Sequence, residues 1–241
     1  MTARTPHTAM VFAAGMGSRM RPVTDAIPKP LVAIGGRPML DHMLDRLHDA
    51  GVNHAIVNVH HPADQIERHL AGRTAPAITI SDERDKLLDQ GGGIRKVLGS
   101  LGRDAFLVCN TDALWIEGPQ PALPRLFADW NPENMDVLLL VASSVTSVGV
   151  DWPGDFTMAS DGRLARRSEG GVAPFVYAGV GLMKPELFDG IDEDVFRLAP
   201  FFFRAAEQGR LFGTRLDGTW LHVGTPGAIA EAEAALDQSA L

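Results

Sequence analysis

The sequence predicts an α/β protein with a doubly wound, mostly parallel sheet and antiparallel additions in its second half. Strand-like and helix-like segments alternate through the first half, as parallel strands joined by crossover helices require. Short strand-like segments separated by turn signals such as Asp161-Gly162 follow in the second half. An apolar segment also runs directly into a loop with Gly15 and Gly17, as in open sheets that bind ligands where strands end.

The first half is predicted from hydrophobic periodicity. Met39, Met43, Leu44 and Leu47 recur at helical spacing and Gly51 follows them, which predicts a helix over 39–50. The other elements expected here are strands at 8–13, 54–59, 77–80 and 105–110, and helices at 63–70 and 94–101.

The second half is predicted from shorter patterns. We expect strands at 137–141, 156–159, 164–167 and 175–182, and helices at 198–208 and 226–236. Thr225 is a suitable N-cap for the last helix. The sequence contains no internal repeat, low-complexity tract or linker, so we expect a single domain over residues 1–241.

The composition is that of a soluble globular protein, with 45% hydrophobic and 22% charged residues. A net charge of −8 argues against a nucleic-acid partner, because general affinity for polyanions depends on many Lys and Arg contacts. Cations grouped locally in an acidic chain favour a small anionic ligand instead.

The single cysteine, Cys109, excludes an intrachain disulfide and a thiolate metal site, and its apolar surroundings predict a core position. The polar stretch 1–7 lacks the apolar core of a signal peptide, and the longest apolar run, 137–142, is too short to span a bilayer. We therefore expect a cytoplasmic protein without a membrane partner.

The segment from Met10 to Pro30 carries the clearest chemical signal. The glycines at 15 and 17 would let backbone amides approach an anion, and Arg19, Arg21 and Lys29 follow to neutralise its charge. This pattern predicts a phosphate-binding loop.

Three other interpretations compete for this loop. The dinucleotide fingerprint is disfavoured because Met20 occupies its third glycine position and prolines follow where a helix should begin. A G-x-x-x-x-G-K-[ST] phosphate loop is excluded by the spacing. A purely structural turn remains an alternative.

Several motifs along the chain resemble those of the sugar-1-phosphate nucleotidylyltransferases. They are A-A-G-M-G-S-R-M-R-P-V-T from Ala13, K-P-L from Lys29, G-G-G-I from Gly91, N-T-D from Asn110, G-D-F from Gly154 and W-L-H-V-G-T-P from Trp220. They cover nearly the whole chain in the family's order. The triple glycine and the compact length are most similar to the branch that uridylylates N-acetylmuramic acid 1-phosphate.

The resemblance implies a fold of the nucleotide-diphospho-sugar transferase type, with a nucleotide-binding part at about 1–115 and a sugar-binding part at about 116–241. It implies transfer of a uridylyl group from UTP to a sugar 1-phosphate in cell-wall recycling, with Mg²⁺ as cofactor, by a monomer or small homo-oligomer. Glucose 1-phosphate or mannose 1-phosphate with another nucleotide is an alternative. A catalytically weak protein that binds nucleotide sugars is a second one.

The family's catalytic roles carry over to three residues. Arg19 would hold the β- and γ-phosphates, Lys29 would stabilise charge on the α-phosphate, and Asp112 would bind Mg²⁺. Gly15 and Asp112 each follow a predicted strand, which would bring them to one edge of the sheet. For Asp112, a turn or helix-cap role is the alternative.

The nucleotide contacts implied by the resemblance are the loop Ala13, Ala14, Gly15, Met16 and Gly17, and the segment Gln90, Gly91 and Gly92. Glycines would let the backbone approach a flat base, and the Gln90 amide offers a donor and an acceptor. The muramic branch usually has glutamate and threonine where this chain has Asp89 and Gln90, which leaves the base preference open.

His222 stands where much of the family has a second aspartate that binds the metal. Imidazole is a poorer partner for Mg²⁺ than a carboxylate. Direct ligation, contact through a metal-bound water, and a metal held by Asp112 and the nucleotide alone all remain open, as does a structural role for this histidine.

The sugar contacts implied by the resemblance are Gly154, Asp155, Glu169 and Tyr177. The family's Glu-Lys-Pro motif is absent, and Arg166, Arg167 and Glu169 occupy the corresponding region, where solvated charge is an equal alternative. The histidines at 60, 61 and 69 are expected at the surface rather than on a metal.

Overall fold

A computed structural model describes residues 6–239 of the protein. The polar stretch at the N-terminus therefore lies mostly outside the described residues. The strands are β1 (Thr8–Phe12), β2 (Ala33–Ile34), β3 (Arg37–Pro38), β4 (His54–Val59), β5 (Ala77–Asp82), β6 (Phe106–Asn110), β7 (Ala113–Ile116), β8 (Val137–Ser143), β9 (Phe156–Met158), β10 (Leu164–Arg166), β11 (Phe175–Met183), β12 (Leu211–Arg215) and β13 (Thr219–His222).

The helices are α1 (Met39–Asp49), α2 (Ala63–Leu70), α3 (Asp89–Leu101), α4 (Ala122–Asp129), α5 (Ala199–Glu207) and α6 (Pro226–Ser239). Short 3-10 turns lie at Ser18–Met20, Val23–Asp25, Lys29–Leu31 and Pro185–Phe188. Among the described residues, no helix combines the length and the apolar character that a membrane span requires.

Nine strands form the central sheet, in the order β10-β9-β11-β6-β1-β4-β5, with β8 paired to β11 and β12 paired to β8. Strands β6, β1, β4 and β5 are parallel, while β11 is antiparallel to both β6 and β8. The predicted doubly wound, mostly parallel sheet with antiparallel additions is confirmed.

Helices cover both faces of the sheet. Alternate residues of β1 enter different cores: Ala9 and Val11 pack with α1, α2 and α4, while Met10 packs with α3 and α5. This alternation follows from the two-residue period of a strand. Cys109 is fully buried in the first of these cores, as predicted, and burial raises the pKa of its thiol.

Most predicted elements lie within a few residues of the observed ones, but several differ. Helix α3 begins at Asp89 rather than at residue 94, so the three glycines belong to its first turns. Helix α4 was not predicted, because Pro124 interrupts its pattern, although a first-turn proline is tolerated there. Strand β12 was also missed, and it is parallel to β8 where only antiparallel additions were expected.

The parallel register sets the position of the site. Phe12 at the end of β1 lies opposite Asn58 on β4 and Asn110 on β6. The loops that follow these strands therefore leave the sheet at one edge, where open α/β sheets bind their ligands.

Candidate active site

A cleft of about 540 Å³ lies at the carboxyl ends of β1, β4 and β6. This volume is in the range of about 300–1,000 Å³ that is usual for small-molecule sites. Eight of the predicted site residues line the cleft: Ala13, Ala14, Gly15, Gly17, Arg19, Lys29, Gln90 and Asp112. The other predicted residues, Met16, Gly91, Gly92, Gly154, Asp155, Glu169, Tyr177 and His222, do not line it.

The two glycines of the loop after β1 have different reasons to be glycine. Gly17 has a φ of +62°, and a Cβ there would lie 3.0 Å from Thr24 Cγ2 and 3.1 Å from Lys29 Cβ. Its identity is therefore required by packing inside the loop. A Cβ on Gly15 would meet nothing within 4 Å, which leaves the backbone of Gly15 facing open space.

The amides at the start of this loop are already engaged. Asn58 Oδ1 accepts hydrogen bonds from Ala13 N at 2.8 Å and Ala14 N at 3.3 Å. The amide of Ala14 was expected to face a phosphate, and in the structure it donates to a neighbouring strand. The amides left for an anion begin at Gly15.

Lys29 and Asp112 form an ion pair in the cleft, with Nζ 2.5 Å from Oδ2 and side chains 15% and 21% exposed. Burial acts to raise the pKa of Asp112, but the charge and hydrogen bond of Lys29, together with His222, hold it below its ordinary value of 3.8. Asp112 is therefore an anionic oxygen donor at neutral pH.

Arg19 lies exposed on the wall of the same cleft. Within residues 6–239 its guanidinium makes no ion pair or hydrogen bond, so it can contact an incoming anion without breaking an existing contact. The cleft thus holds one unengaged cation and one engaged by a carboxylate.

His222 lies beside the cleft rather than on its wall. Its ring packs against Trp152 and Trp220, with centroids 5.3 Å and 5.2 Å away. Burial lowers the pKa of His222 below 6.5, the charge of Asp112 opposes this shift, and Lys29 adds to it. The ring is therefore neutral at pH 7 and close enough to Asp112 to interact with its charge.

The donor set fits a hard divalent cation of the magnesium type. Such an ion is commonly held by one or two carboxylates together with substrate phosphates and water, and Asp112 supplies one ionised carboxylate at the cleft. Within residues 6–239 no three His, Cys, Asp or Glu side chains gather into a metal-binding group. A metal here would need ligands from the substrate.

An amide pair and two apolar side chains form the other end of the cleft. Gln90 Nε2 donates to Asn110 Oδ1 at 2.9 Å, and both residues line the cleft. Leu87 and Val195 line it too and are 38% and 47% exposed. Apolar faces beside polar amide atoms are suited to a flat heterocycle.

Gly91 and Gly92 lie behind this end of the cleft, against segment 194–196. Their amides donate to the carbonyl of Phe196, at 2.9 Å and 3.3 Å. A Cβ on Gly91 would lie 2.3 Å from the Phe196 ring, and one on Gly92 would lie 2.0 Å from Asp194 O. Both glycines thus let segment 194–196, which carries Val195, lie against α3.

The four predicted sugar contacts lie outside the cleft. Asp155 and Gly154 make close contacts with other parts of the protein. Asp155 accepts hydrogen bonds from Trp152 Nε1 at 3.1 Å and from Tyr177 N at 2.9 Å. A Cβ on Gly154 would lie 2.0 Å from Ala173 O, so this glycine permits a close backbone approach. Glu169 is exposed.

The hydroxyl of Tyr177 is buried and has no hydrogen-bond partner among the described residues. Its ring meets Phe202 edge-on at 5.3 Å, and burial raises the pKa of the hydroxyl. The hydroxyl therefore does not reach the cleft in this structure.

Sequence reasoning missed two buried polar residues on the cleft wall, Asn58 and Glu83, which are 3% and 1% exposed. Asn58 is the one amide side chain in the strand His54–Val59, and Glu83 directly follows β5. A polar residue within or just after a parallel strand was the available signal.

Comparison with known proteins identifies the family of the chain. The MobA-like NTP transferase domain matches residues 9–185. The chain is 44% identical to N-acetylmuramate alpha-1-phosphate uridylyltransferase of Caulobacter vibrioides over 98% of this chain and 99% of that protein. The enzyme of the same name from Neisseria meningitidis is 35% identical, over 94% of this chain and 96% of that protein.

Solved structures share the fold. UDP-glucose pyrophosphorylase complexed with UDP-glucose superposes with a TM-score of 0.76 at 15% identity, covering 96% of this chain and 98% of that one. A putative glucose-1-phosphate thymidylyltransferase from Bacillus anthracis gives 0.77 at 18% identity, covering 95% and 94%. The chain belongs to the MobA-like NTP transferase family and, within it, to the sugar-1-phosphate nucleotidylyltransferases.

Proposed function

We propose that this protein transfers a uridylyl group from UTP to N-acetylmuramate 1-phosphate, giving a UDP-sugar and pyrophosphate. The observation that carries the proposal is the convergence of the loop after β1, Arg19, Lys29 and Asp112 on one cleft. The substrate is taken from the name of the relative that is 44% identical over nearly the whole chain.

The reaction needs no protein nucleophile. An oxygen of the sugar phosphate attacks the α-phosphorus of UTP, and the bond from that phosphorus to the oxygen bridging the α- and β-phosphates breaks in line with it. Because the attacking oxygen is already anionic, no general base is required. Catalysis is then positioning and charge stabilisation.

Each cleft residue has a role in such a transfer. Arg19, whose guanidinium has no ion pair or hydrogen bond within residues 6–239, binds the β- and γ-phosphates and favours departure of pyrophosphate. Lys29 stabilises charge on the α-phosphate, to which its ammonium moves from Asp112. A divalent cation bound by Asp112 would neutralise phosphate charge.

The apolar and amide-lined end of the cleft receives the uracil in this proposal. Gln90 would keep one amide atom for the base while its Nε2 remains bonded to Asn110. Leu87 and Val195 would contact the faces of the ring. The use of UTP and the role in peptidoglycan recycling imply a cytoplasmic enzyme.

A substrate panel tests this function. Purified protein is incubated with each of UTP, dTTP, GTP and CTP against the 1-phosphates of N-acetylmuramate, glucose and mannose, with Mg²⁺, and pyrophosphate release is measured. We expect the highest kcat/KM for UTP with N-acetylmuramate 1-phosphate. A clear preference for another pair would reassign the substrates, and Asp112→Asn controls for contaminating activity.

A second candidate is a protein that binds nucleotide sugars with little turnover, favoured by the histidine at position 222 where many relatives have aspartate. Calorimetric titration with UDP-N-acetylmuramate separates the two. Tight binding together with no pyrophosphate release from any substrate pair would support the second candidate.

A further inference from the structure

Asn58 and Glu83 form a buried polar pair that connects three segments of the cleft wall. Asn58 Oδ1 accepts from the amides of Ala13 and Ala14, and its Nδ2 donates to Glu83 Oε1 at 2.8 Å. The other oxygen, Oε2, accepts from Leu88 N at 3.2 Å. The pair therefore joins the phosphate-binding loop to the segment that leads into α3.

The donors around the pair determine which side chains can serve. Ala13 and Ala14 present N–H groups, so Asn58 must turn its oxygen to them and its NH₂ group to position 83. Leu88 presents a third N–H group to the other side of Glu83. The side chain at position 83 must thus accept a hydrogen bond at each of its two terminal atoms. A carboxylate has two oxygens that do so, whereas an amide has only one.

Glu83 carries this role at a cost to folding. It is 1% exposed, and within residues 6–239 it forms no ion pair. A buried carboxylate with only two N–H partners is unfavourable compared with an apolar side chain. Its presence at the cleft is explained if its contacts serve the site.

Gly93 shows how closely the pair is held. A Cβ at this position would lie 2.9 Å from Glu83 Oε1 and 3.2 Å from Asn58 Nδ2. The third glycine of the triplet therefore makes room for this hydrogen bond.

We propose that Asn58 and Glu83 act together as positioning residues that hold the phosphate-binding loop and the base end of the cleft in the geometry for transfer. Neither residue touches the reacting atoms in this proposal. The inference rests on the proposed function, because the geometry it describes is that of the same nucleotide site.

Exchanging donor and acceptor tests the proposal. In Glu83→Gln, one amide hydrogen must face a donor; in Asn58→Asp, two carboxylates meet. The double variant Asn58→Asp/Glu83→Gln satisfies all partners again, because Asp accepts from Ala13, Ala14 and the new Gln, whose oxygen accepts from Leu88 N. We expect each single variant to lower kcat/KM by about tenfold to a hundredfold, and the double variant to recover to within about threefold of the original.

Two readouts separate positioning from simple stability. Thr214→Val removes a buried 2.7 Å hydrogen bond to Asp129 away from the cleft, and should lower Tm with kcat and KM unchanged. UTP binding, measured by calorimetry without sugar phosphate, should weaken in the single variants and recover in the double one. This binding experiment still decides the proposal if no sugar phosphate proves to be a substrate.

Two results would overturn the proposal. One is single variants that match Thr214→Val, with lower Tm but unchanged kcat/KM and UTP affinity. The other is a double variant whose loss equals the product of the two single losses. If these variants do not fold, Gly93→Ala presses a methyl group against the same pair: a lower kcat supports positioning, and an unchanged kcat contradicts it.

Discussion

Lys29 and Asp112 form an ion pair in the cleft. Removing Lys29 deprives a developing negative charge of its partner mainly in the transition state. We predict that Lys29→Ala lowers kcat by about 10²-fold or more, with a smaller change in the affinity for UTP. Steady-state kinetics and UTP titration measure the two effects.

Arg21→Ala is the matched control: the sequence predicts that Arg21 helps to neutralise the anion, but in the structure Arg21 does not line the cleft and pairs with Asp25 at the surface. Its kcat should stay near that of the unmodified protein. Near-normal turnover in Lys29→Ala would exclude the role proposed for this lysine.

The role proposed for Asp112 predicts that its carboxylate is needed for activity with Mg²⁺. Asp112→Asn keeps the shape of the side chain but removes the anionic oxygen that Mg²⁺ prefers. We expect turnover that depends on Mg²⁺ to be abolished, with the fold intact by circular dichroism. Recovery of activity at moderately raised Mg²⁺ would assign Asp112 a secondary role.

The protonation of His222 predicts a pH dependence. Burial lowers the pKa of His222 below 6.5, so the ring is still largely neutral at pH 6.5 and becomes positively charged only at lower pH. A positive charge beside Asp112 would repel a cation, so the unmodified protein should lose kcat/KM below pH 6.5. His222→Asp should bind Mg²⁺ more tightly and lack this loss.

Profiles of kcat/KM from about pH 5 to 8.5 across a Mg²⁺ titration measure both effects. Identical profiles and metal affinities in the two proteins would place His222 outside the metal site.

The sequence was informative about residues whose chemistry is visible in a short motif. Arg19, Lys29 and Asp112 were predicted to share a site, and the structure brings them to one cleft. Asn58 and Glu83 were missed because their partners lie 45 and 25 residues away, and such pairings depend on the folded chain. Gly91 and Gly92 were predicted as nucleotide contacts, but the local sequence gives no sign of their hydrogen bonds to Phe196, which is more than 100 residues away along the chain.

At the scale of elements, α3 contains one glycine that has no room for a side chain and another that has. A Cβ on Gly92 would lie 2.0 Å from the backbone oxygen of Asp194, whereas one on Gly99 in the same helix meets nothing within 4 Å. We predict that Gly92→Ala lowers Tm and raises KM for UTP, because segment 194–196 must move. Gly99→Ala should leave the kinetics unchanged and stabilise the helix by about 0.5–1 kcal/mol.

Thermal unfolding and steady-state kinetics of both variants measure the difference. Equal effects of the two substitutions would show that helix propensity, and not the approach of segment 194–196, governs this part of α3.

Elements with a strong period were the most predictable. Helices α1 and α2 and strand β4 lie at or within one residue of the predicted bounds, because each has a buried face that matches its geometry. Strand β12 is short and contains a glycine, and its parallel pairing with β8 depends on the intervening chain. Nothing local signals such a pairing.

At the scale of the whole molecule, the two parts implied by the family resemblance are joined by a common sheet and a common core cluster. Strand β6 of the first part pairs with β1 on one side and with β11 of the second part on the other. A third core cluster packs Met20 and Ile34 near the N-terminus against Leu221 and Val223 near the C-terminus. Separating the parts would break this sheet and expose that cluster.

We therefore predict that the protein unfolds as one cooperative unit. Three of the four tryptophans, at 130, 152 and 220, lie in the second part, while Trp115 ends the first part and lies under Arg46 of α1, so the fluorescence reports mainly on the second part. Far-UV circular dichroism reports on the whole chain. The two urea transitions should coincide in midpoint and slope, and saturating UTP should shift both equally, because a ligand bound to the folded state stabilises everything that unfolds with it. Fluorescence that changes at a different urea concentration from the dichroism would instead divide the chain into two units.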